Sequence, residues 1–299
     1  VQADNRIGID GTAKRVIRLR DLHEVKSRLR EGRLHSVCEE ARCPNRGECF
    51  ERRVATFLIA GSVCTRACRF CSIATGRPAA LDAGEPASVA EAAARLELRH
   101  VVVTSVNRDD LPDGGAAHFA ATIAALRQRL PFATVEVLTP DFRGDLAAVD
   151  TVCDAAPDVF NHNVETVPRL YRRVRPGARY ERSLEVLAQA ARKLPGRLVK
   201  SGLMVGHGET SDEMRVVFND LHSVGVNAVT IGQYYQPTQA QLPVCEDVPD
   251  ARYPEFAAAA RAAGIAHVWA GRHVRSSYLA DRFLEAASAR HPESAVLHG

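Results

Sequence analysis

An α/β fold built on a parallel sheet is what this sequence predicts, and three observations predict it. Six short apolar runs alternate in strict order with helix-length segments, no repeat of about 20–50 residues interrupts the series, and no linker divides it. Strands are expected at residues 56–60, 100–104, 134–138, 159–163, 198–204 and 228–232, where β-branched and apolar residues gather. Helices are expected at 87–96, 117–130, 146–155, 183–193 and 211–224, each carrying apolar residues at helical spacing. Ahead of the series, residues 19–30 read as a short charged helix, and 38–50 as irregular chain broken by Pro44 and Gly47. A six-unit open barrel and a doubly wound sheet share this alternation. In either one, chemistry collects at the C-terminal ends of the strands.

The 299 residues are 46% hydrophobic and 25% charged, enough to bury a large core. No stretch approaches the roughly 18 uninterrupted apolar residues of a membrane span, and residues 1–6 show no apolar signal region, so a soluble, cytoplasmic protein is expected. The formal net charge of +3 is small and the basic residues are scattered, which argues against nucleic acid as a partner. The run from Lys14 to Arg20 reads as a solvated face. Lys200, one of four lysines in an arginine-rich chain, falls near a predicted strand end.

Eight cysteines in a chain without an export signal read as metal ligands or catalytic thiols before disulfides. Six of them lie between residues 38 and 71, and Cys153 and Cys245 stand apart as small buried hydrophobes. Cys64-Thr65-Arg66-Ala67-Cys68-Arg69-Phe70-Cys71 follows the first predicted strand directly. Its spacing gathers three soft thiolates on one side of a tight loop, enough for three irons of a 4Fe-4S cube with the fourth left open. Read alone, the same cysteines could serve zinc with a fourth ligand elsewhere, or turn a cysteine face into the core. Thr65, Arg66 and Arg69 argue against the core. The second triad, Cys38, Cys43 and Cys49, spans Pro44 and Gly47, which let the chain wrap round a cluster as no continuous helix could. Structural zinc fits that spacing as well.

The CxxxCxxC loop after the first strand, with an aromatic before its third cysteine, resembles the radical S-adenosylmethionine (SAM) superfamily. The wording CEEARCPNRGEC, together with Arg275-Ser276-Ser277-Tyr278, closely resembles the lipoyl synthase family. The likeness runs from about Cys38 to Tyr278, through the strand-end motifs TSVNRDDLPDGG (104–115), NHNVET (161–166), KSGLMVGHGE (200–209) and TIGQYYQP (230–237).

That resemblance implies a partial (β/α)6 barrel of the TIM type, spanning 54–265. An N-terminal extension, 1–53, would carry the auxiliary-cluster cysteines, and a C-terminal extension, 266–299, would carry the serine motif over the open face. It implies two 4Fe-4S clusters: one held by Cys64, Cys68 and Cys71, whose open iron chelates S-adenosyl-L-methionine, and an auxiliary one held by Cys38, Cys43, Cys49 and Ser277. Phe70 would pack near the adenine, and Asn163 and Glu165 would hold the ribose hydroxyls or the methionyl part. Thr104, Ser105, Asn107, Lys200 and Gln233 would complete the cofactor contacts, and Asp109 and Asp110 would line the rim. Arg275 and Ser277 would act in catalysis. His162 stays outside the set, since a lone histidine is more often a satisfied core residue.

The implied reaction inserts two sulfur atoms at carbons 6 and 8 of a protein-bound octanoyl chain, one deoxyadenosyl radical serving each C–H bond. The auxiliary cluster would be the sulfur donor, its hard serine oxygen making the labile corner. The implied partners are an octanoylated lipoyl-carrier protein or domain, a reducing electron donor such as ferredoxin or flavodoxin, and an iron–sulfur carrier for cluster rebuilding. Two rivals stand beside this reading. A radical SAM enzyme inserting sulfur into a small molecule such as a biotin precursor would not need both CEEARCPNRGEC and RSSY. A two-cluster electron carrier would need four cysteines at each site. Asn107, His207, Gln241, Arg272 and His273 depart from the family's usual residues, at positions suited to substrate entry.

Overall fold

A computed structural model of the chain describes residues 34–36 and 54–277. Its main sheet has eight strands: β1 (His35–Ser36), β2 (Val54–Ile59), β5 (His100–Ser105), β6 (Thr134–Leu138), β7 (Val159–Asn161), β8 (Leu198–Val205), β9 (Ala228–Gln233) and β10 (His267–Ala270), neighbours in that order. A separate two-residue parallel ladder joins β3 (Val63–Cys64) to β4 (Ala74–Thr75). The first strand runs antiparallel to β2, and every other pair in the main sheet is parallel.

Strand order decides between the two architectures the sequence leaves open. A doubly wound sheet reverses direction at a switch point. Here spatial order follows chain order from β2 to β10, so same-handed crossovers lay all the helices on one face. Those helices are α1 (Glu85–Arg95), α2 (Ala116–Arg129), α3 (Leu146–Asp154), the single turn α4 (Tyr171–Val174), α5 (Tyr180–Lys193), α6 (Ser211–Ser223) and α7 (Arg252–Ala262). They pack in sequence, α1 on α2, α2 on α3, α3 on α5 and α6 on α7. The result is an open (β/α) barrel whose terminal strands, β1 and β10, do not pair with each other. Helix α7, absent from the five expected, completes the sixth strand–helix unit, and β10 continues the sheet past residue 265.

Side-chain alternation divides the sheet into two faces. Val101, Val103, Val135, Val137, Phe160, Val199, Leu203, Val229 and Ile231 all join the helix-covered core. At about 25 cal/mol per Å² of apolar surface removed from water, this layer is the main source of the fold's stability. The opposite, inner face carries His100, Thr104, Glu136, Asn161, Lys200 and Thr230, all buried, above a small apolar group of Val159, Leu198, Ala228 and Trp269. Helix starts are fixed locally. Thr210 and Glu213 form a reciprocal capping box on α6, and the Asp145 carboxylate caps α3. Among the described residues no helix is long and apolar enough to cross a membrane.

Candidate functional site

The Cys64 loop leaves the C-terminal end of β2 through Ala60, which adopts a left-handed φ of 64° and donates its N–H to Glu85 Oε2 at 2.8 Å. Such a conformation costs a non-glycine residue of order 1 kcal/mol or more and persists where its surroundings fix it. Here they do. Pairing of β3 with β4 closes the loop, with Gly76 N–H donating to the Cys64 carbonyl at 3.0 Å. Cys71 N–H donates to the Cys68 carbonyl at 3.1 Å, and the Arg66 and Ile73 amides lie 3.4 and 3.5 Å from the Cys64 and Cys71 sulfurs.

Residues 107–110 then clamp this loop. Thr65 donates through both N–H (3.1 Å) and Oγ1 (3.0 Å) to the Asn107 carbonyl, and its Oγ1 accepts from Asp109 N–H at 3.1 Å. The Arg66 guanidinium forks onto Asp109 at 2.7 and 2.8 Å and reaches the fully buried Asp141 at 2.7 Å. Arg108 ties Ala60 and Ala79, at the loop's two ends, through their carbonyls at 3.0 and 2.9 Å, while Asp110 holds its other edge. The carboxylates expected at a ligand-contacting rim are thus engaged as loop anchors. Asp109 is reached by Arg66 across 43 residues of chain, which sequence could not show, and Asp110 by its neighbour Arg108.

Burial pushes the Cys68 thiol up to about 11, against the pull of the Arg175 guanidinium, with Cys71, Glu165 and Cys64 adding to the rise. Cys71 is raised by burial as well and feels Cys64 and Glu165. The buried Arg175 is the cation set against Cys68. Among the described residues no three His, Cys, Asp or Glu side chains converge closely enough to hold a single ion. A cluster asks instead for one thiolate per iron. Three soft sulfurs with backbone N–H groups beside two of them and a buried guanidinium nearby fit an anionic iron–sulfur group.

Across the strand ends, Asn163 lies just beyond β7. Its Nδ2 donates to Glu165 Oε1 (3.1 Å) and Ser276 Oγ (2.6 Å), and its carbonyl accepts from Arg175 at 2.7 Å. Glu165 has a left-handed φ of 66° and bridges to β8 through Gly202 and Met204, which aims its partly buried carboxyl at this group. Burial raises the Glu165 carboxyl, opposed by Arg175 and Asn163. Gly202 is required here, since a Cβ would stand 2.6 Å from both Asn163 Oδ1 and Ser276 Oγ. At Gly232 a Cβ would collide with the Val274 carbonyl. These two glycines let residues 271–277 lie directly across β8 and β9. Asn163 Oδ1, Ser105 Oγ and Arg175 Nε are buried with no hydrogen-bond partner among the described residues, three polar atoms that suit a polar ligand.

The structure brings together Cys64, Cys68, Cys71, Asn163, Glu165 and the serine motif, and Arg175 joins them. Sequence reading missed Arg175. Its only signal was an arginine twelve residues past the fourth strand, among many other arginines. Partly buried Phe70 packs against the main core. Thr104 donates to the Leu138 carbonyl at 2.8 Å, and Asn107 acts through its backbone. Gln233 is held by Val248, Tyr253, Tyr234 and Glu246, bracing the loop after β9. Lys200, the third residue of β8 rather than a strand end, is fully buried and paired with Glu136 at 3.0 Å, and Asn161 donates to the same carboxylate. Arg275 lies over the Tyr235 ring at 5.1 Å, and Tyr235 stacks on His273. His162 is satisfied by the Thr139 carbonyl and Ser183 at 2.9 and 3.0 Å, as expected for a core histidine. Cys153 sits in the helix–sheet core as expected, whereas Cys245, expected to be buried too, is exposed beside Arg173. Among the departures, Gln241 donates to the Cys71 carbonyl at 3.1 Å, and His207 packs on Tyr234. Cys38, Cys43, Cys49 and Tyr278 lie outside the described residues, as do the expected helix at 19–30 and the irregular segment at 38–50.

Comparison with known proteins agrees with this geometry. Residues 58–221 match the model of the radical SAM superfamily. A lipoyl synthase from Methylococcus capsulatus is 56% identical over 263 residues, covering 88% of this chain and 82% of that protein. The lipoyl synthase of Oleidesulfovibrio alaskensis is 57% identical over 252 residues, with coverages of 84% and 86%. Among solved structures, methylornithine synthase superposes with a TM-score of 0.54 at 12% identity, covering 86% of this chain and 83% of that one. SuiB from Streptococcus suis, bound to its precursor peptide, gives 0.56 at 11% identity over 91% and 57%. At such identities these structures speak for the fold alone. The chain belongs to the radical SAM superfamily and, within it, to the lipoyl synthase family.

Proposed function

We propose that this enzyme completes the lipoyl group in place, inserting sulfur at carbons 6 and 8 of an octanoyl chain carried on a protein lysine. The observation that carries the reading is Asn163 just beyond β7, whose side chain donates to Ser276 of the Arg275-Ser276-Ser277 segment at 2.6 Å while its carbonyl accepts from Arg175, the guanidinium set against Cys68. Two unactivated C–H bonds must be broken, which acid–base chemistry cannot do. When bound, the two 4Fe-4S clusters and S-adenosyl-L-methionine supply a reductively generated radical and the sulfur.

In this reading Cys64, Cys68 and Cys71 bind three irons, and the clamp of residues 107–110 fixes the loop before the metal arrives. Arg175 offsets negative charge beside Cys68. Asn163, Glu165 and Ser105 present the polar atoms that orient the cofactor, with Phe70 at its apolar side. Thr104 and Asn107 hold the backbones that frame it, Gln233 braces the wall after β9, and the Lys200–Glu136 pair closes the barrel floor. Ser277 joins Cys38, Cys43 and Cys49 at the auxiliary cluster, with Arg275 fixing the segment that bears it. Residues 1–53 and 266–299 are then ligand-bearing flanks of the 54–265 unit, each lending its sheet an edge strand, β1 and β10. The partners are an octanoylated carrier domain, a low-potential electron donor such as ferredoxin or flavodoxin, and an iron–sulfur carrier, in the cytoplasm.

Anaerobically reconstituted protein, mixed with S-adenosyl-L-methionine, dithionite and an octanoylated carrier domain, tests this by mass spectrometry. Addition of two sulfurs, as the dithiol in the reducing mixture and with loss of two hydrogens once it is air-oxidised to the disulfide, supports it. An unchanged octanoyl domain alongside sulfur-bearing desthiobiotin would favour the small-molecule alternative.

A further inference from the structure

Charge is distributed unevenly along this chain. Its formal net charge is +3, yet residues 168–182 alone hold six arginines against one glutamate. This segment follows β7 and borders the mouth. Its α4 turn is tied to the cysteine loop by the Arg69 N–H donating to the Val174 carbonyl at 2.9 Å.

The six arginines fall into two groups. Arg169 forks onto Glu213 at 2.7 and 3.0 Å, Arg182 reaches Asp141 at 3.3 Å, and Arg175 is buried beside Cys68. Those three serve the structure. Arg172, Arg173 and Arg179 are exposed, and the exposed Arg69 joins them from the cysteine loop. None of the four makes an ion pair among the described residues, and the contact of Arg173 with Cys245 Sγ at 3.5 Å carries it toward the loop after β9. Four solvated guanidinium groups with no counter-ion among the described residues repel one another. The fold gains nothing from that repulsion, so an external anionic surface is the natural complement.

We propose that Arg69, Arg172, Arg173 and Arg179 form the docking rim for an acidic face of the folded carrier domain that presents the octanoyl-lysine. The inference rests on the function proposed above, which makes a macromolecule the substrate. A long acyl-lysine arm lets such a domain stay on the rim while its chain enters the mouth. Rim charges of this kind raise the association rate and make it salt-sensitive, and the chemistry at the strand ends does not depend on them. A protein face suits the rim better than nucleic acid, since the arginine cluster is local and the chain's net charge is small.

The test compares two substrates in the reconstituted holoenzyme: an octanoylated carrier domain, and a short uncharged peptide bearing octanoyl-lysine. Arg172→Glu/Arg179→Glu, checked for native melting, should raise KM for the domain on the order of tenfold at low salt and leave turnover of the peptide unchanged. Added salt should weaken the wild type's use of the domain and narrow the gap between the two proteins. Arg172→Lys/Arg179→Lys should behave like the wild type. Equal effects on domain and peptide, an unchanged KM for the domain, or equally tight binding of a short DNA duplex that competes with it would overturn the rim. Loss of sulfur insertion with both substrates in the wild type would instead defeat the function proposed above. In that case anisotropy titration of the labelled domain against wild type and the Glu variant still decides the rim, since equal affinities overturn it.

Discussion

Arg66→Ala would cut the clamp on the cysteine loop at its centre. In the wild type the Arg66 side chain, 6% exposed, binds Asp109 and Asp141 at 2.7 Å each. Burial alone would raise the Asp141 carboxyl, yet the hydrogen bond and charge of Arg66 bring it well below the usual carboxylate range. Without Arg66 a carboxylate with no exposure keeps only Arg182 at 3.3 Å and the Arg143 N–H at 3.0 Å. Removing one member of a buried pair costs about 3–5 kcal/mol, and the remaining Arg182 contact puts the expected loss near the lower end, about 3 kcal/mol. The sign with pH follows from the depressed carboxyl. Its stabilisation is full above the unfolded value, near 4, and is lost as pH falls through the folded value. The variant should therefore be weakened most at neutral pH and differ less from wild type in acid. Urea unfolding of the apo protein across pH measures this, and alkylation of Cys68 and Cys71 should quicken in parallel. A loss under about 1 kcal/mol at neutral pH, the range of a surface pair, with unchanged alkylation would refute the clamp.

Other consequences are open to direct measurement. Lys200→Met should destabilise by about 3 kcal/mol by leaving the buried Glu136 carboxylate without its cation, with only Asn161 and His100 beside it, and adding Glu136→Leu should recover part of the loss in the denaturation midpoint. No recovery would mean the pair is not the unit. Burial holds His162 at about 4, so the unfolded chain, titrating near 6.5, takes up the proton first. Stability should then fall as pH drops from about 6.5 towards 4, by roughly 3 kcal/mol in all, and a His162→Gln protein should show a flatter profile over that window. Cys68→Ala should abolish 5′-deoxyadenosine formation while iron still loads at the Cys38 triad, with iron and sulfide analysis as the check. Normal cleavage by that variant would remove the Cys64 loop from the cofactor's site.

Much of this architecture could be read from the chain alone. The strand and helix positions follow from runs such as His100–Ser105, where apolar and β-branched residues leave little choice. What escaped reading depends on distance or on ambiguous composition. Helix Arg252–Ala262 is alanine-rich with no marked apolar face, and the four-residue strand after it is too short to stand out. The cysteine spacing was legible because it is local. Its supports were not: Lys200 finds Glu136 across 64 residues, and Asn163 finds Ser276 across 113. Asp109 shows why this matters, for a carboxylate at a strand's C-terminal end reads as a ligand contact until the arginine that occupies it is seen.

The central claim, that a sulfur-donating cluster at the serine motif works beside the cofactor's cluster, is tested most directly at Ser277. Ser277→Cys replaces a hard oxygen ligand by a soft thiolate, so the auxiliary cluster should still assemble and yet resist the opening that releases sulfide. A single turnover with octanoylated domain, counting lipoyl product and 5′-deoxyadenosine together, reads the outcome. Wild type should form two 5′-deoxyadenosines per lipoyl group, and Ser277→Cys should still cleave S-adenosyl-L-methionine while sulfur insertion fails. Unchanged lipoyl formation in Ser277→Cys and Ser277→Ala would contradict the account.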